Sequence, residues 1–215
     1  MSIPLYIRQV FIPEKYLRCL FFACIPALVF YSISLLGLSF LGFEIMEILR
    51  DPAQQSGESS FLGFLSNIGN WLWVSSAAIC FFSISTYYFI DNSRHKELLF
   101  LVGLMSIILA VDDFFMIHDR YIDQNICYLT YAFIAAAILV RHYNKITEID
   151  GFSFLLAGFL LALSILTDLI QGYIPLKYAY VQVFEEGFKF VGAATWLYFS
   201  WRIASFQPLQ FTEGD

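Results

Sequence analysis

The chain has 215 residues, of which 59% are hydrophobic and 19% aromatic, against 14% charged. Soluble domains carry roughly 25% charged residues, and a chain this short cannot cover such long apolar blocks, so the composition excludes a soluble globular protein and implies an integral membrane one. The formal net charge of −6 is scattered, with no basic stripe that would recruit nucleic acid.

Six apolar segments, at about 19–43, 64–90, 98–117, 126–140, 152–171 and 183–204, predict the fold. The expected class is all-α: a polytopic membrane protein, a six-transmembrane-helix bundle built as one integral domain over 1–215. Each segment but the short fourth is near the ~20 residues that cross ~30 Å of hydrocarbon. The N-terminal MSIPLYIRQVFIPEKYLRCL sets basic residues ahead of the first run with no small-residue cleavage site after it. That order predicts a retained helix rather than a signal peptide. Glu44 and Glu47 follow the first span, and EILRDPAQQSGESS (47–60) reads as the longest loop. Asn67 and Asn70 open the second span, beside Trp71 and Trp73. The third ends in VDDFFMIHDR (111–120), the fifth carries Ser164, Asp168 and Gln171, and the sixth carries Gln182, Glu185, Glu186 and Lys189. The four cysteines, Cys19, Cys24, Cys80 and Cys127, form no close pair and read as small hydrophobes.

Lysine and arginine set the expected orientation. With six spans, one face holds both termini together with Arg8, Lys15, Arg18, Arg94, Lys96, Arg141, Lys145 and Arg202. The other face holds Arg50, Arg120 and Lys177. This asymmetry predicts an inner (plasma) membrane location with both termini cytoplasmic. Counted at ~1.5 Å per residue from the cytoplasmic ends, Asp112 stands ~21 Å up its span, Asp168 and Glu186 ~24 Å, and Lys189 ~20 Å. Polar groups from several helices therefore meet at one level below the outer head groups.

Ionisable groups at such depth are costly and face a bundle interior, a partner or a watery cavity. One lysine does not balance Asp112, Asp113, Asp168, Glu185 and Glu186. The surplus points to a divalent metal ion, bound protons or a cationic substrate. Asp112, His118, Asp119, Asp168, Glu185 and Glu186 are the expected metal ligands, being hard oxygen and imidazole donors. Asp112, Asp113, Glu186 and Lys189 are the expected catalytic groups: a carboxylate as general base and the lysine against a developing oxyanion. The expectation is a metal-dependent membrane hydrolase acting on lipid or amide substrates. A proton- or cation-coupled transporter is the alternative, and a non-catalytic assembly protein the lesser one. The bilayer and a lipid substrate are the expected partners, and oligomerisation is left open.

VDDFFMI resembles the Asp-acidic-x-x-Met-hydrophobic segment of alkaline ceramidases and related membrane hydrolases, and FLSNIGNWLW is similar to the Asn-rich entry of an early helix in that group. The resemblance implies hydrolysis at a zinc held by three histidines, one upstream of the aspartate and two spaced by four in the last helix. In this chain no histidine precedes Asp112 within its span, and Glu185 and Lys189 occupy the four-residue spacing. Only Asp112 carries over from the resemblance.

Overall fold

The computed structural model describes residues 25–49, 52–59, 61–86, 93–173, 175 and 177–206. Arg8, Lys15, Arg18, Arg50, Cys19, Cys24 and the start of the first expected span lie outside these residues. The fold is all-α, with no strand among the described residues. The chain divides into two compact units, 1–62 and 63–215.

In the first unit, α1 (Ile25–Phe40) is an apolar helix followed by two single-turn helices, α2 (Ile45–Leu49) and α3 (Pro52–Ser56). Gly42, at φ 96°, supplies the left-handed turn that ends α1. Glu47 folds back to accept from the backbone N–H of Glu44 at 2.8 Å, satisfying a donor that α2 leaves open.

The second unit contains α4 (Phe64–Thr86), α5 (Ser93–Phe115), the short α6 (Ile117–Arg120), α7 (Gln124–Ile170) and α8 (Tyr178–Ser205). Among the described residues, α4, α5 and the run Gln124–Tyr173 are long and apolar enough to cross a membrane. By length and composition this is a membrane protein. The outward side chains agree: Phe82, Leu129, Phe133, Val140 and Phe152 are each at least 69% exposed, an arrangement suited to lipid rather than water. Helix α8 is longer than α4, but its Glu185, Glu186, Lys189 and Arg202 lower its hydropathy.

The expected fourth and fifth spans lie within one helical run, α7, interrupted where His142 and Asp150 leave helical geometry. There the run doubles back, because the Tyr128 hydroxyl donates to Asp168 Oδ2 at 3.0 Å across forty residues of chain. Local chemistry explains the restart. Asp150 accepts from the backbone N–H of Ser153 at 3.1 Å, which is the bond an N-cap makes, and Asp123 does the same for the first arm through Asn125 at 2.9 Å.

Contacts give the helix directions. Asp113 meets Lys189 and Ser106 meets Trp196, so seven steps down α5 match seven steps up α8 and the two are antiparallel. Phe190 lies beside Gly69, and Ser83 donates to the Ala204 carbonyl at 3.1 Å, so α4 and α8 run parallel. Asp150 faces Arg202, and Phe154 packs on Trp196 and Phe199, so the second arm of α7 runs against α8. Directions thus alternate from α4 to α8. Lipid tails are as apolar as leucine, so close packing and buried hydrogen bonds hold such helices together. Leu98, Val102, Phe199 and Ile203 are fully buried at the centre. Trp196 Nε1 donates to Ser106 Oγ at 2.9 Å within this core. Gly103 lets α5 approach α4: a Cβ there would lie 3.1 Å from Cys80 and Phe81.

Candidate functional site

One break in regular structure builds the site. Helix α5 stops at Phe115 because Met116 adopts a left-handed conformation, φ 52°, which costs a non-glycine residue roughly 1–2 kcal/mol. The reversal turns the chain so that His118 faces back toward Asp112. Asp112 then holds His118 twice. Its Oδ1 accepts from the His118 backbone N–H at 2.9 Å, and its Oδ2 lies 2.7 Å from Nδ1 of the ring. An ionised carboxylate only accepts, so this contact keeps a proton on Nδ1 and leaves Nε2 for other chemistry. Asp119 Oδ1 lies 3.5 Å from Nε2. The hydrogen bond that the ring donates to Asp112 raises the imidazole pKa above its ordinary value, against the lowering that burial alone would bring.

The next residue in the acidic pair has a different partner. Asp113 Oδ1 receives Lys189 Nζ at 2.8 Å, and the same ammonium lies 3.5 Å from Glu186 one turn away on α8. Asp113 Oδ2 is buried and has no hydrogen-bond partner among the described residues. On α7, Asp168 accepts from Tyr128 at 3.0 Å and from Gln171 at 2.8 Å. On α8, Gln182 donates to Glu185 at 2.7 Å.

These groups surround a cavity of about 190 Å³. Asp112, Asp113, His118, Asp168, Glu185 and Lys189 form its polar wall, with Tyr128, Tyr131 and Ser164. Trp73, Met105, Leu109, Leu161 and Ile165 form the apolar remainder, so α4, α5, α6, both arms of α7 and α8 all contribute. The opposite end of the same helices is basic. There Arg141 meets Glu97 at 2.6 Å, Lys145 meets Glu148 at 2.8 Å and Arg202 meets Asp150 at 3.6 Å.

The expected convergence of polar groups on one level therefore brings together Asp112, Asp113, His118, Asp168, Glu185 and Lys189. Glu186 and Asp119 do not line the cavity: their side chains are 45% and 58% exposed, and each touches a lining cation from outside. Glu44 and Glu47 belong to the first unit. Among the described residues no three His, Cys, Asp or Glu side chains stand close enough together to hold a metal ion. The expected ligands are instead spread over separate pairs with His118, Lys189, Tyr128 and Gln182. Sequence reading missed Tyr128 and Tyr131. Their three-residue spacing puts them on one face at the start of the fourth apolar segment, and that was the available signal.

The fold and cavity define a class, an all-α membrane protein with a largely apolar chamber that has one acid-rich wall, near one end of the bundle. A family model described as a domain of unknown function (DUF8692) matches residues 19–203, and the chain belongs to that family. Compared with curated proteins and with solved structures, it finds no match.

Proposed function

We propose that the protein is a six-span inner (plasma) membrane hydrolase, with both termini cytoplasmic, that cleaves a lipid ester or amide in the cavity near its outer face. The observation that carries this reading is the Asp112–His118 pair, with Nδ1 held at 2.7 Å on the wall of a largely apolar cavity. The alternating helix directions and the basic end support the span count and orientation, with the apolar segment containing α1 as the first crossing.

In this reading His118 is the proton carrier and Asp112 its positioning residue. Nε2 takes a proton from water as the water oxygen attacks the carbonyl carbon. The carbonyl oxygen becomes an oxyanion facing Lys189 Nζ, whose charge stabilises it. The tetrahedral intermediate then expels the alcohol or amine, which takes the proton back from Nε2. Atoms and protons balance with water as the sole co-reactant. A divalent ion would draw on Asp112, His118, Asp119, Asp168, Glu185 and Glu186. Those donors do not gather round one point among the described residues, so no step is routed through a metal.

The test incubates purified protein with membrane lipid extracts and follows released fatty acids and amines by mass spectrometry. Release that disappears in His118→Asn and survives chelation supports the reading. Release that chelation abolishes would restore the metal-dependent form. A second reading, proton or cation transport, is favoured by the surplus of carboxylates. Against it, Leu98, Val102, Phe199 and Ile203 are fully buried in the packed core toward the opposite end of the bundle.

A further inference from the structure

The wall of the cavity carries four carboxylates, Asp112, Asp113, Asp168 and Glu185, against the cations Lys189 and His118. Even with both cations charged, two negative charges are left over. Asp113 is the focus of this imbalance. Its side chain is 10% exposed and Oδ1 is taken by Lys189, while Oδ2 is buried without a hydrogen-bond partner among the described residues. A buried carboxylate oxygen left unsatisfied is costly, and a ligand donor would remove that cost. Apart from Ser164 and small residues the rest of the wall is apolar and aromatic, and the rings of Trp73, Tyr128 and Tyr131 among its lining are of the kind that attracts a cation. At about 190 Å³ the chamber is smaller than the ~300–1,000 Å³ of pockets that enclose a whole drug-sized ligand. It takes a head group and the first part of a chain, leaving the remainder in the bilayer.

We infer that the occupant is a cationic amphiphile, a long-chain molecule bearing a protonated amine whose N–H groups donate to Asp113 Oδ2. This inference rests on the reading of the cavity as a substrate site and names the substrate class: an amine-bearing lipid. A neutral alcohol would also offer Oδ2 a donor, but it would leave the surplus charge in place.

The experiment measures saturable binding of radiolabelled dodecylamine to the whole protein in phosphatidylcholine nanodiscs, after subtraction of partitioning into empty discs. Dodecanol and dodecanoate serve as competitors. The expected result is one saturable site that dodecanol and dodecanoate displace poorly. Asp113→Asn should weaken it at least about tenfold. Gly158→Leu should abolish binding by filling the cavity that Gly158 lines, where a Cβ meets nothing within 4 Å, and thermal unfolding of that variant checks that it folds. Should Asp113→Asn fail to fold, Glu185→Gln carries the same test, with weakening of several-fold expected. Displacement by dodecanol as efficient as by dodecylamine overturns the inference, as does unchanged binding in the carboxylate variants. The outcome is separable from that of the hydrolase reading. Amine binding without any His118-dependent cleavage would sink only the hydrolase. Cleavage with no preference for cationic lipids would sink only this inference.

Discussion

Replacing Asp112 tests how the site is held together. The carboxylate makes two short contacts to His118, at 2.9 Å to the backbone N–H and 2.7 Å to the ring, with both side chains mostly buried. Hydrogen bonds to charged groups contribute about 1.5–3 kcal/mol and neutral ones about 0.5–1.5. Asp112→Asn keeps an acceptor for the backbone N–H and loses the charged contact to the ring, so it should cost about 1–2 kcal/mol. Asp112→Ala loses both contacts and strands a backbone donor, so about 3–5 kcal/mol is expected. The pH dependence follows from His118. Its pKa is raised in the folded state, so the stability it contributes is fully present below the unfolded value of about 6.5 and is lost as pH rises through the folded value. Equilibrium unfolding in mixed micelles, followed by tryptophan fluorescence from pH 5.5 to 9, should therefore show wild-type stability falling with pH, and Asp112→Asn much flatter. A wild type that gains stability over that range, or an Asn variant with the same slope, would contradict the charged pairing of His118 with Asp112.

Gly103→Ala places a methyl group 3.1 Å from Cys80 and Phe81, so it should destabilise by about 1–3 kcal/mol, while Gly158→Ala, with open space around its Cβ, should be nearly neutral. Thermal unfolding of the two variants side by side decides this, and equal costs would contradict the packing argument. Met116 holds φ 52°, so Met116→Gly should match or exceed the wild type in stability, whereas Met116→Ile should lose about 1–2 kcal/mol. The same unfolding assay checks that order, and a more stable Ile variant would mean that the left-handed turn is not what places His118.

Much of this arrangement was legible in residue order. Long apolar runs predicted the helices, because one span of bilayer demands about twenty such residues whatever their order. Depth counting brought Asp112, Asp168 and Lys189 to one level, because the rise per residue in a helix is fixed. What escaped notice depends on local departures from that regularity. The left-handed Met116 has no sequence mark, since methionine rarely adopts that conformation, and without it nothing pairs His118, expected as a metal ligand, with Asp112. The short helical stretch between the breaks at His142 and Asp150 was hidden by its polar composition, which resembles a loop until Asp150 is recognised as the cap of the second arm. Depth counting also could not separate neighbours on one helix. Glu185 lines the cavity while Glu186, the residue expected to be catalytic, reaches Lys189 from outside it.

In the proposed hydrolase His118, positioned by Asp112, carries protons in the cavity beyond the end of α5. The most direct measurement is the rate of cleavage of fluorogenic long-chain esters and amides by the protein in nanodiscs, from pH 5 to 9, in the presence of EDTA. The rate is expected to rise as the raised imidazole pKa is passed, to fall by about 10²–10⁴-fold in His118→Asn, and to be lowered less in Asp112→Asn. Turnover that persists unchanged in His118→Asn would contradict it, as would no turnover at all by a folded protein that saturably binds the same lipids.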